Sequence, residues 1–276
     1  MQLSNLDPNK EMSFLDHLEA LRWHLVRSAI VIFVLAFVAF MNKEIIFDGI
    51  ILAPKNKDFL TYKVLCFLSA KYNLDMCFDQ INFSVINLDI SGQFTTHMWI
   101  AFMSGFILAF PYFIWEIWRF IKPALSEKEI SVSRGIVFFT TVLFILGLLF
   151  GYYVITPLSI NFLGNYQISA EVQNTISLDS YINIVTVMSL STGLVFELPM
   201  IIYFLSKIGI VTPQFLKTYR KHAMVVNLIL AAVITPSPDV TSQLLVAIPL
   251  FGLYEVSIYV SRMVYRAKRK KELLQA

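Results

Sequence analysis

The stretch GIVFFTTVLFILGLLFGYYVI, Gly135 to Ile155, carries no charged side chain. Wound as an α-helix it rises roughly 30 Å, the thickness of the hydrocarbon core of a bilayer. A helix that is apolar all round finds its solvent in lipid or in a protein interior. Five further apolar runs flank it: Ser28 to Phe47, Thr95 to Ile121, Tyr181 to Leu205, Ala223 to Ile234 and Val240 to Val260. Together they predict an all-α polytopic membrane protein with six transmembrane helices. The fifth run is short, rising only about 18 Å, so it calls for a thinned bilayer or snorkelling by flanking groups such as Lys221.

The composition agrees. Of 276 residues, 57% are hydrophobic and 15% charged, against about 25% charged in soluble domains, and the mean hydropathy is +0.67. A net charge of +3 gives no footprint for nucleic acid, so the distribution of charge matters more than its sum.

Short loops retained in the cytoplasm are enriched in Lys and Arg. Lys10, Arg22 and Arg27 precede the first run, and Arg119, Lys122, Lys128 and Arg134 lie around the connection between the second and third. Lys207, Lys217, Arg220 and Lys221 fall between the fourth and fifth, and the tail from Arg262 to Lys271 is strongly basic. Thr156 to Ser180 and Thr235 to Asp239 contain neither Lys nor Arg. Both termini are therefore expected in the cytoplasm. Residues 1–27 form a cytoplasmic segment, 42–93 a long outer loop and 261–276 a basic cytoplasmic tail, all within one integral-membrane domain, 1–276, that shows no internal repeat or linker.

The polar amino terminus, with Asp7 and Glu11, lacks the pattern of a cleaved signal peptide, so the first run is expected to remain as an anchor. Cys66 and Cys77 are too few for a disulfide framework or a four-cysteine zinc site. Both lie in the outer loop and are expected to form one bridge. In the same loop Ile81 to Val85 alternates like a short strand.

Several polar groupings interrupt this apolar background. Ser13 to Asp16 has the form of a helix-starting capping box, and the helix that follows presents Asp16, Glu19, Trp23 and Arg27 away from its apolar residues. Ser126 to Glu129 is a second capping box, whose Glu127 and Glu129 face the cytoplasm, where carboxylates pair bidentately with arginines of a visiting peptide. Glu197 and Glu255 lie inside the fourth and sixth runs, and an acid there is costly enough to be a functional candidate. Thr186, Ser189, Gly193 and Glu197 recur at helical intervals, and Pro199 frees a backbone carbonyl one turn upstream. Pro236 and Pro238 stiffen an outer turn between Thr235 and Asp239, and Asp239 is placed to cap the helix that follows. Gln243, one turn inside the membrane, calls for a hydrogen bond to another helix, in this chain or a partner. Gly147 and Gly151 form a GxxxG pair suited to close helix packing.

No HExxH, GxSxG, phosphate-binding loop or glycine fingerprint is present, so the sequence nominates neither an enzyme nor a cofactor.

In order along the chain, His17-Leu18-Glu19-Ala20-Leu21-Arg22, Pro123-Ala124-Leu125 followed by Glu129, Phe196-Glu197-Leu198-Pro199 and Thr235-Pro236 occur on the expected sides of the spans. Pro238-Asp239, Ser242-Gln243, Ala247-Ile248-Pro249 and Tyr254-Glu255 complete the series. This pattern resembles the TatC family, the multispanning core subunits of the twin-arginine protein translocase, over nearly the whole chain. The resemblance implies a concave, glove-shaped bundle in the bacterial cytoplasmic (inner) membrane. It implies binding of the Arg-Arg signal peptide of folded cargo, with Glu129 as the principal carboxylate and Arg22 in the supporting surface. Glu197 would face the concavity, and Thr235 and Gln243 would contact single-span partners of the TatA and TatB type, in a complex that contains several copies of the chain. Export would be driven by the proton motive force. One position departs from the family pattern: Ala20 stands where a signal-binding Glu is usual, and the neighbouring Glu19 projects about 100° away on a helix. A proton-coupled small-solute secondary transporter is the alternative from another class, although two repeated halves with paired broken helices are absent from the sequence.

Overall fold

The computed structural model describes residues 14–72, 83–122, 135–169, 171, 174–235 and 240–273. The chain enters through α1, Phe14–Met41. Asn42 then turns its side-chain amide onto the Val38 carbonyl, 2.8 Å away, and the backbone rewinds as a π-helix over Glu44–Ile51. The first span thus ends earlier than Phe47, because the polar Asn42-Lys43-Glu44 sequence offers the backbone other partners. A 3-10 turn, Ala53–Lys55, leads to α2, Leu60–Tyr72, and to the strand β1, Ser84–Ile86.

The next helix, α3, spans Gly92–Ile121. It runs antiparallel to α1: His97 stacks on Phe40, Gly105 abuts Ala36 and Phe120 stacks on His17. After it, α4, Ile136–Phe150, passes through a π-turn, Gly151–Ile155, into α5, Thr156–Asn165. Strand β2, Thr175–Ser177, pairs in parallel with β1, with Val85 opposite Ile176. The strand expected at Ile81 to Val85 is therefore present but shifted, and residues 81 and 82 lie outside the described residues.

The fourth span is divided. Helix α6, Leu178–Val195, and helix α7, Leu198–Ile208, meet at Phe196 and Glu197. Pro199 has no N–H to offer the Val195 carbonyl, which ends the regular ladder there. Gly209, at φ 93°, terminates α7 in the left-handed conformation that a glycine adopts without strain. The short α8, Pro213–Thr218, precedes α9, Arg220–Ile234, and α10, Val240–Leu273. The last helix extends past Val260 because its basic tail is built from good helix formers.

Among the described residues, five helical segments are long and apolar enough to cross a membrane: His17–Met41, Gly92–Ile121, Ile136–Asn165, Leu178–Ile208 and Gln243–Lys270. The short fifth run becomes α9, whose 15 residues rise only about 22 Å. It is anchored to α10 by side-chain amides: Asn227 donates to the Leu250 carbonyl at 3.4 Å and Gln243 to the Leu228 carbonyl at 3.2 Å.

Small residues set the close approaches. A Cβ on Gly151 would lie 2.8 Å from the Ser189 Cα, and one on Gly147 would lie 2.6 Å from the Phe196 Cβ. The GxxxG pair therefore packs α4 and its π-turn against the fourth span within the chain. At the loop-bearing end, three tyrosine hydroxyls cap carbonyls that irregular backbone leaves open. Tyr181 donates to Ile51 at 3.0 Å, Tyr152 to Ile50 at 2.7 Å, and Tyr62 lies within bonding distance of Pro54 and Pro157. Cys66, on α2, is disulfide-bonded, while Cys77, the other cysteine of the chain, lies outside the described residues.

Candidate functional site

Glu197 sits at the α6–α7 break with 8% of its surface exposed. Its backbone carbonyl accepts from Met200 and Ile201, but neither carboxyl oxygen has a hydrogen-bond partner. Phe144 packs on Gly193, one turn before it, and Phe196 on Gly147, so the helices on either side of the break are tightly closed. The polar stripe upstream gives no relief: Thr186, Ser189 and Thr192 each donate to the carbonyl four residues back. Such back-bonding satisfies a hydroxyl inside its own helix and tends to bend that helix. A buried carboxyl group without a partner is uncommon and costly. Its persistence in a membrane span marks Glu197 as the most unusual polar group among the described residues.

The sequence reading missed a second buried acid. Glu116, on α3, is 1% exposed and gathers a cluster about itself. His24 of α1 bonds one carboxyl oxygen through Nδ1, Tyr112 donates to the other at 2.7 Å, and the Arg119 guanidinium lies 3.7 Å away. The Arg119 guanidinium also rests over the Trp115 ring, 4.8 Å from its centroid, and His17 stacks on Phe120 at 4.3 Å. The signal was available: Glu116 is an acid inside the run Thr95 to Ile121, as Glu197 is inside its own run, with Tyr112 one turn before it.

The remaining candidates are dispersed. Glu19 and Arg22 lie exposed on the first turns of α1, at the end of the bundle where α3 finishes. Glu127 and Glu129, with their cap Ser126, lie outside the described residues, as do Pro236, Pro238 and Asp239. Glu255 belongs to α10, where it pairs with Arg220 at the start of α9, both side chains half exposed. Thr235 is buried and donates to the Ala231 carbonyl at 2.9 Å. The Gln243 side chain finds its helix partner, Leu228, within this chain. Among the described residues no group of three or more His, Cys, Asp or Glu is placed to hold a metal ion.

With this geometry in place, three comparisons bear on the chain. The profile of the family described as "Sec-independent protein translocase protein (TatC)" matches residues 16–249. The Sec-independent protein translocase protein TatC of Blattabacterium sp. subsp. Periplaneta americana (strain BPLAN) is 42% identical over 261 residues, which cover 94% of this chain and 98% of that one. The TatCy protein of Bacillus subtilis (strain 168) is 32% identical over 260 residues, covering 94% and 92%. A crystal structure titled twin arginine translocase receptor TatC superposes with a TM-score of 0.66 at 29% identity, over 90% of this chain and 99% of that one. A second, in the detergent DDM, gives 0.68 at 31% identity, over 89% and 99%.

Proposed function

Because the chain belongs to the TatC family of Sec-independent protein translocase proteins, we propose that it is the receptor and assembly platform of a twin-arginine translocase in the bacterial inner membrane, with both termini in the cytoplasm. It holds the Arg-Arg signal peptide of a folded cargo protein and recruits single-span subunits of the TatA and TatB type. Export then draws on the proton motive force. The observation that carries this reading is the extent of the similarity, which covers residues 16–249 and so spans the positions of Glu19, Arg22, Glu129 and Glu197. The exposure of Glu19 and Arg22 supports a recognition surface at the end of the bundle where basic residues are concentrated. The orphaned carboxyl group of Glu197 supports a separate role inside the membrane. Thr235 and Gln243 would act on partner subunits through the position of the α9–α10 turn, since Thr235 is buried and the Gln243 amide is engaged.

Peptide binding to the purified full chain tests the recognition site. An Arg-Arg signal peptide should bind and a Lys-Lys version should bind much less. A charge-assisted bidentate pair is worth roughly 1.5 to 3 kcal/mol, so Glu129→Gln should weaken binding by at least about tenfold. Glu19→Gln should weaken it less, and Ala20→Glu should strengthen it. Should Glu129→Gln bind normally while Ser126→Ala does not, Glu129 is a helix cap and the assignment is wrong.

A further inference from the structure

The seam between α1 and α3 is closed at one level and open beside it. At the Ala36–Gly105 crossing a Cβ on Gly105 would lie 2.5 Å from the Ala36 amide nitrogen. Alongside runs an apolar groove of about 360 Å³, with Ala36 and Ala101 among the residues that line it. Aromatic and thioether side chains from Phe33, Phe37, Phe40, Met98 and Phe102 form its walls. Phe33 is 66% exposed and Phe37 64%, which places the groove on a surface that lipid would wet.

A second cavity, of about 640 Å³, adjoins the groove toward the loop-bearing end and is lined by Lys43, Glu44, Asp48, Lys55 and His97. The two meet at a stacked pair: Phe40 belongs to the groove and His97 to the cavity, and their rings lie 4.0 Å apart. The His97 Nε2, 3.2 Å from the Phe40 carbonyl, holds that junction. The π-helix contributes Glu44 and Asp48 to the cavity, and none of the cavity's four charged side chains, Lys43, Glu44, Asp48 and Lys55, forms an ion pair among the described residues.

The dimensions and the charges point to one kind of occupant. From Lys43 down to Phe33 the helix rises about 15 Å, half the thickness of a hydrocarbon core and so the depth of one leaflet. A water-soluble ligand would use the cavity and leave the groove idle, whereas a lipid fills both. Two ammonium and two carboxylate groups carry no net charge and complement a headgroup that contains one phosphate and one amine. We infer that the α1–α3 seam is a binding site for a zwitterionic glycerophospholipid of the leaflet opposite the termini. Its phosphate faces Lys43 and Lys55, its amine faces Glu44 and Asp48, and an acyl chain lies along Phe33, Phe37 and Met98. The ligand would brace the first two spans where small residues leave them unfilled.

Native mass spectrometry of the purified full chain in mild detergent tests this, with palmitoyl-oleoyl phosphatidylethanolamine, the matching phosphatidylglycerol and soluble glycerophosphoethanolamine as probes. Phosphatidylethanolamine should be retained in preference to the other two. The double variant Lys43→Gln, Lys55→Gln should weaken its retention by about tenfold, while Lys57→Gln, on the same outer segment but outside the cavity, should leave it unchanged. Glu44→Gln with Asp48→Asn should turn the preference toward phosphatidylglycerol. Equal retention by the double lysine variant and the unaltered chain overturns the proposal. So does binding of the soluble headgroup as tightly as the lipid, or of phosphatidylglycerol as tightly as phosphatidylethanolamine by the unaltered chain. If the lysine variant loses its fold, the membrane-facing pair Phe33→Ala, Phe37→Ala decides, and undiminished retention there is equally fatal.

Discussion

His24 and Glu116, 92 residues apart in sequence, share a hydrogen bond that ties the first span to the second. The histidine is the contact that α1 contributes to a carboxyl group otherwise served from within α3, by Tyr112 and Arg119. His24→Ala removes that partner and leaves a cavity beside a buried acid. The expected loss is about 2 to 3 kcal/mol, read as a lower unfolding midpoint in detergent. A midpoint unmoved by His24→Ala would show that Glu116 is held by its own helix alone.

Helix packing at the GxxxG pair gives a steric prediction. Gly151→Ala sets a methyl group 2.8 Å from the Ser189 Cα, a backbone atom that cannot turn aside. It should cost about 1 to 3 kcal/mol by overpacking. Gly252→Ala meets nothing within 4 Å and should be neutral or slightly stabilising, since alanine favours a helix over glycine. Thermal unfolding of the two variants side by side checks the contrast.

For Glu197 the expected outcome separates transport from recognition. Glu197→Ala should impair export of a twin-arginine cargo while Arg-Arg peptide binding is largely kept, because the residue is buried at the α6–α7 break and the proposed recognition surface lies elsewhere. Glu197→Gln, which preserves shape, should be milder. Loss of peptide binding to the same degree in both variants would contradict the division of roles.

Tyr62 predicts an alkaline limit to stability. Burial pushes its phenol above the ordinary value of 10.0, so the folded state favours the neutral form more strongly than the unfolded chain does. That contribution is complete below the unfolded pKa, near 10, and is lost as pH rises beyond it. Tyr62→Phe should flatten the alkaline limb of a stability profile. It should also lower stability at neutral pH by about 1 kcal/mol through the missing hydroxyl contacts with Pro54 and Pro157.

Much of the architecture was legible without coordinates because its signals are local. A run of apolar residues is long enough to cross a bilayer or it is not: five of the six runs fall in helices that are, among the described residues, and the short one became α9. Pro199 withholds an N–H from the carbonyl four residues back whatever surrounds it, and Gly147 with Gly151 permits close approach whichever neighbour arrives. Tertiary structure decided which neighbour that was. Helical periodicity places Gln243 on a face but does not say that Leu228 waits opposite, and a glutamate within an apolar run reads the same whether its partners exist or not. Glu116, Glu197 and Glu255 were alike in this respect. Docking of the helices gave the first a histidine from α1, buried the second without a side-chain partner, and put the third in reach of Arg220. Burial and pairing depend on contacts between residues far apart in the chain, and only the packed bundle brings those residues together.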